Sequence, residues 1–155
     1  MTSRPAVHAA IRTQPGLSPR HDSHVIEGDP PARIALYRDA SLERLCLEVR
    51  LDPASLTLTC SARNGVWHYF RRADGTLKPL PPQPGPLTVF PGDAYIALSP
   101  GAQRLTDSPT VARFLHLRDD FNADNLARSL LVHLAELADG NEFPEDVTVL
   151  VIEAR

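Results

Sequence analysis

Apolar and polar residues alternate along most of the first hundred positions of the chain. In "LERLCLEVRL", Leu45, Leu47, Val49 and Leu51 alternate with Arg44, Cys46, Glu48 and Arg50, and Asp52 and Pro53 follow. Period two with one apolar set predicts a strand buried on one face. "SLTLTC" repeats the pattern with Leu56, Leu58 and Cys60 against Thr57 and Thr59. "GVWHYFRRADGTLKPL" predicts a strand over Val66–Arg71, a turn at Asp74 and Gly75, and a return strand through Leu77. Asp-Gly between two such runs marks a hairpin, because glycine accepts positive φ. Further strands are expected at "VHAAIRT", "SHVIE", "RIALY" and Ala94–Leu98, the last broken by Ser99, Pro100 and Gly101. "PLPPQPGP", Pro79 to Pro86, predicts a stiff extended connection that cannot donate to a sheet ladder.

In the last third the period changes. Ser108 followed by Pro109 predicts a helix start, with Val111, Phe114 and Leu115 on its apolar face. Asn122 is expected to cap a second helix, in which Leu126, Leu130, Leu134 and Leu137 recur at helical spacing before Gly140. The nearly unbroken β-branched run "DVTVLVIEA" predicts a central strand. The sum is an α+β fold: one domain over residues 1–155, mostly antiparallel strands, helices concentrated in the C-terminal third.

Composition narrows the function classes. The chain has 155 residues, 43% hydrophobic and 23% charged, with a formal charge of -3. No strong basic field exists to collect phosphates, which argues against nucleic acid as partner. No apolar run approaches the roughly 20 residues of a membrane span, and "MTSRPAVHAAIRTQPG" lacks a secretory apolar segment, so a cytoplasmic location is expected. Cys46 and Cys60 form no CxxC pair and read as small core residues. Gly-x-Ser-x-Gly and Gly-rich phosphate loops are absent. "HDSH" gathers His21, Asp22 and His24, but on a strand or its end the two imidazoles would face opposite ways. His68, between Trp67 and Tyr69, reads as part of an aromatic ladder, and His116 and His133 as surface or packing residues.

The ordered set of elements resembles the metal-dependent serine/threonine protein phosphatases, the PPM family, and within it the branch of bacterial stress and sporulation signalling. Three stretches carry the resemblance: "LCLEVRLDPASLTLTCSARNGVWHYFRRADGTLKPLP" as the central meander, "FPGDAYIALSPGAQRLTDS" as the following strand and turn, and "EFPEDVTVLVIEAR" as the closing strand. "IRTQPGLSPRHDSH" and "RIALYRDAS" are similar to the opening Arg-Thr…Asp segment and to the strand that ends in Asp-Gly. The resemblance spans Val7 to Ala154. It implies a two-sheet β-sandwich flanked by helices, and hydrolysis of phosphoserine and phosphothreonine by water bridging two Mg²⁺ or Mn²⁺ ions.

That chemistry needs carboxylates converging on two hard cations. Carried onto this chain, the family's acidic positions fall on His24, Asp39, Pro100 and Glu145, the last followed by Asp146. Imidazole is a poor ligand for Mg²⁺ or Mn²⁺, and proline offers none. Ala40 stands where the family has the glycine after its second acid. The phosphate-gripping arginine corresponds to Arg12 or Arg20. Only four residues separate Asp39 from Arg44, where the family carries a pair of long helices.

The expectation is a shortened, degenerate PPM-like domain: a pseudophosphatase with no catalytic residues and no bound cofactor. It would serve a regulatory or protein-binding role in bacterial signalling, with a partner that is a phosphoprotein or a second copy of the chain. One alternative is an active phosphatase using Mg²⁺ or Mn²⁺ on a reduced site of Asp39, Glu145 and Asp146. Another is a structural subunit of a larger bacterial assembly.

Overall fold

The computed structural model of the chain describes residues 7–17, 22–28, 33–39, 44–63, 65–118 and 122–155; at 36–39, 44 and 45 it describes the backbone alone. Among these residues ten strands build two antiparallel sheets. β1 (Val7–Gln14), β6 (Trp67–Arg71), β7 (Leu77–Pro79), β9 (Ala94–Leu98) and β10 (Val147–Ala154) form the first, in the order β1-β10-β9-β6-β7. The second comprises β2 (Ser23–Glu27), β3 (Arg33–Asp39), β4 (Arg44–Asp52), β5 (Thr57–Ala62) and β8 (Leu87–Thr88), in the order β2-β3-β4-β5-β8. Among the described residues the α-helices are α1 (Ser108–His116) and α2 (Ala123–Leu137), and neither is long and apolar enough to cross a membrane. This is the expected α+β sandwich with late helices, without the helix pair between β3 and β4.

Strand periodicity places two cores. Between the sheets, Leu47, Val49 and Leu51 of β4 and Leu58 of β5 meet Phe70, Tyr95, Leu150 and Ile152. On the opposite face of the first sheet, Tyr69, Ile96, Leu98, Val149 and Val151 meet Val111 and Leu115 of α1 and Leu126, Leu130 and Leu134 of α2. β10 lies between β1 and β9 with all eight residues buried, as its unbroken apolar run requires. The hairpin β6–β7 turns at Gly75 with φ of 92°. Asn122 caps α2 by accepting from the N–H groups of Asp124 and Asn125. For α1 the cap is Asp107, one residue earlier than the sequence suggests: its carboxylate accepts from the Thr110 N–H, and Ser108 is already helical. A carboxylate at this position adds a favourable interaction with the helix dipole.

The outer face of the second sheet has no helix over it among the described residues. It carries charges instead. Arg33 lies between Glu27 (3.5 Å) and Glu48 (3.4 Å), and Arg50 Nε donates to Glu48 at 2.7 Å. Arg33 and Arg50 are direct cross-strand neighbours, a repulsive pairing that the shared Glu48 offsets. The sheet face is therefore polar where the family resemblance implies a helix-covered one.

Candidate functional site

One end of the sandwich collects the strand ends to which the family pattern points. β1 ends there at Gln14, β9 at Leu98 and β3 at Asp39, and β2 and β10 begin there. Asp22, just before β2, and Asp146, just before β10, are the carboxylates whose contacts define it.

Asp146 is 4% exposed. Its Oδ1 accepts from the Gly16 N–H at 2.6 Å and its Oδ2 from the Asp22 N–H at 3.0 Å. One side chain thereby holds both ends of the connection from β1 to β2, and the Leu17 N–H adds a bond to the Phe143 carbonyl at 2.8 Å. Asp22 in turn accepts from the Thr148 hydroxyl at 2.9 Å. Because that hydroxyl donates to Asp22, it accepts from Thr13, 2.8 Å away. A directed chain results: Thr13, then Thr148, then the Asp22 carboxylate.

Ser99 closes the other side. Its hydroxyl accepts from the Thr148 N–H at 2.8 Å, and its own N–H donates to the Thr148 carbonyl at 2.9 Å, so it extends the β9–β10 ladder by one residue. Pro100 then opens a short 3-10 helix, Pro100–Arg104. Gly101 presses on the backbone of Asp146 so closely that an added Cβ would overlap its carbonyl oxygen, and Gly16 presses in the same way on the Glu145 carbonyl. Both glycines are required by this approach: the Glu145–Asp146 backbone is clamped between them.

The sequence-predicted residues distribute as follows. Glu145 and Asp146 lie in the clamp. Pro100 sits beside it, contributing a turn. Asp39 reaches the same end by its backbone, while Ala40, Arg20 and His21 lie outside the described residues. His24 stands opposite Leu36 on β2 and lines a small gap with Ile11, Ile34 and Leu47; the acid that meets Asp146 is Asp22, two residues earlier. "HDS" could have signalled this, since period two sends Asp22 and His24 to the same side and only one of them lies at the strand end. Arg12 points away, toward the helices, where it binds Asp124.

These donors can be tested against two hard cations. Each Asp146 oxygen already accepts a backbone N–H, one Asp22 oxygen holds a hydroxyl, and Pro100 provides no side-chain oxygen. Among the described residues no three His, Cys, Asp or Glu side chains converge as a metal-binding group. In this arrangement Pro100 offers no ligand, and the Asp146 carboxylate fastens the β1–β2 connection to the start of β10.

A second polar cluster lies between the sheets. His68 Nε2 faces the Pro81 carbonyl at 2.6 Å, so it carries the proton, and Nδ1 then accepts from the Tyr95 hydroxyl at 3.0 Å. Cys60 hydrogen-bonds Tyr95 in turn. Burial lowers the His68 pKa, pushes the Cys60 thiol up to about 11, and holds Tyr95 well above the usual phenol. His68 makes its aromatic contact with Tyr95 of β9 and adds two hydrogen bonds, to Tyr95 and Pro81. It meets Tyr95 edge-on, at 5.9 Å between ring centroids, and anchors the proline-rich connection from inside. His133 packs on Phe114 of α1, with centroids 4.5 Å apart.

No family model and no curated protein matches the sequence. Solved structures do match. The phosphatase domain of the cell fate determinant SpoIIE from Bacillus subtilis aligns over 97% of this chain and 92% of its own, with TM-score 0.72 and 11% identity. PppA, a key regulatory component of T6SS in Pseudomonas aeruginosa, aligns over 98% of this chain and 99% of its own, with TM-score 0.70 and 14% identity. The catalytic domain of the serine/threonine protein phosphatase PstP, in complex with two manganese ions, aligns over 96% of this chain and 98% of its own, with TM-score 0.64 and 15% identity. The chain has the fold of the PPM phosphatases, in a form that lacks the helix pair between β3 and β4.

Proposed function

We propose that the chain is a pseudophosphatase: a PPM-fold module that binds a protein partner in bacterial signalling without hydrolysing phosphoesters. The observation that carries this reading is the commitment of Asp146. Its two oxygens bind the backbone N–H groups of Gly16 and Asp22, and Pro100 occupies the neighbouring position where the family resemblance asks for a ligand. A carboxylate in that role stabilises a fold; a two-metal hydrolase needs such groups turned toward its ions. A regulatory role agrees with the description of the structurally similar PppA as a regulatory component.

One observation favours an active enzyme. Asp22, the end of β3 at Asp39, and Glu145 with Asp146 share one end of the sandwich, and the similar PstP domain holds two manganese ions. Turnover of para-nitrophenyl phosphate with Mn²⁺ decides between the readings, with Asp39→Asn as control. The pseudophosphatase reading predicts no turnover above buffer for either protein. Turnover by the wild type that Asp39→Asn abolishes would establish the enzyme.

A further inference from the structure

The four sheet edges differ. β7 has three residues and ends on Pro79, β8 has two, and β2 has five. Short strands and proline protect an edge from pairing with other chains. β1 is the exception, with eight residues, no proline, and no strand on its outer side among the described residues.

Beside that edge α2 presents a second stripe. Its buried positions are Leu126, Leu130 and Leu134, whereas Arg128, Leu131, Val132 and Ala135 follow at i, i+3, i+4 and i+7 on an adjoining face. Ile11 to Gln14 of β1 and this stripe bound a groove of about 480 Å³, in which Val132 is 52% exposed. Its charge is unbalanced. Asp124 accepts Arg12 through two bonds, of 2.8 and 2.9 Å, and also Arg128 at 3.1 Å. Two guanidiniums, 39% and 59% exposed, thus share one carboxylate, leaving one positive charge at the groove.

We propose that this groove binds an extended acidic peptide segment of a partner protein, which adds to β1 as a further strand. Main-chain bonds to an edge give affinity, and alternate side chains give specificity. A residue directly opposite Arg12 would bring its Cβ within about 5 Å, on the same face as Arg128, so an acidic side chain there meets the excess charge. A second copy of the chain fits poorly, since it would set four guanidiniums against two carboxylates. The surface deepens the protein-binding half of the reading above and adjoins the acidic end at Thr13 and Gln14.

The test is fluorescence anisotropy with dye-labelled peptides of alternating Thr and Val, carrying one central Glu, one central Lys, or the Glu with alternate backbone nitrogens methylated. The Glu peptide should bind saturably, and the Lys and N-methylated peptides about tenfold or more weakly. Arg128→Glu, its fold checked by circular dichroism, should reverse the preference in favour of Lys. Equal binding of the Glu and Lys peptides, an unchanged preference in Arg128→Glu, absence of saturable binding, or a concentration-dependent dimer that shields β1 would overturn the proposal. Phosphatase turnover measured on the same proteins separates the two readings: turnover would defeat the pseudophosphatase and leave the peptide result standing, and the reverse also holds.

Discussion

Replacing Asp146 by Asn changes one atom and tests what that side chain does. The carboxylate accepts one backbone N–H on each oxygen, at 2.6 Å from Gly16 and 3.0 Å from Asp22, in a site 4% exposed. Asn keeps one acceptor and turns an NH2 group toward the other N–H, so one bond becomes a donor–donor contact and the other loses its charge. A hydrogen bond to a charged group contributes about 1.5–3 kcal/mol, and a buried unsatisfied donor costs about 1–3 kcal/mol. The variant should lose about 2–4 kcal/mol, a fall in Tm of about 5–12 °C for a chain of this size. Urea unfolding followed by the fluorescence of Trp67, the single tryptophan, measures it. The midpoint should drop with an unchanged m-value, equally with and without Mn²⁺. A stability within about 0.5 kcal/mol of wild type, the range of an ordinary surface change, would refute the structural role. So would a Mn²⁺-dependent stabilisation of the wild type that the variant loses.

Further outcomes follow from the same geometry. Gly101→Ala should cost about 1–3 kcal/mol from overlap with the Asp146 carbonyl, although Gly101 is not among the positive-φ residues; a neutral result in the same urea assay would show that the clamp can relax. His68 has a folded-state pKa lowered by burial, so the unfolded chain takes up the proton first. Its contribution is therefore complete above about pH 6.5 and declines as pH falls below that value. His68→Gln should flatten this slope in midpoints measured from pH 7.5 to 5, and an unchanged slope would count against it. The carboxylates of Asp52, Asp74 and Asp107, lowered by their hydrogen bonds, act in a more acidic window and do not confuse the comparison. Cys60, with its thiol moved from 9.0 to about 11, should react with iodoacetamide about 100-fold more slowly in the native state than an ordinary thiol. Peptide mapping by mass spectrometry reads this, and native labelling at the free-thiol rate would contradict it.

The strands were legible because their cores are one-sided or continuous. Leu47, Val49 and Leu51 follow period two, β10 is apolar throughout, and Gly75 permits the β6–β7 turn. The helix positions were legible for the same reason, apart from the α1 cap, where Asp107 and Ser108 are both good capping residues and spacing does not choose between them. The acidic end was read in outline only. Sequence order places Asp39, Pro100 and Glu145 at strand ends, but which of Asp22 and His24, both on one side of the strand, lies at that end depends on where β2 begins. That Asp146 binds two backbone N–H groups more than 120 positions away is a tertiary fact with no local signature. The His68 network escaped for a related reason: an aromatic run shows no sign of which residue meets a distant carbonyl. The charged outer face of the second sheet was foreshadowed by Glu48 and Arg50, while its cross-strand partners Arg33 and Glu27 emerge only from the register.

The proposal that this chain works without bound metals is tested most directly by titrating Mn²⁺ into the full chain in a calorimeter. Heats of dilution only are expected, with no saturable site in the micromolar to millimolar range. A saturable isotherm, above all one near two ions per chain that Asp39→Asn weakens, would contradict it.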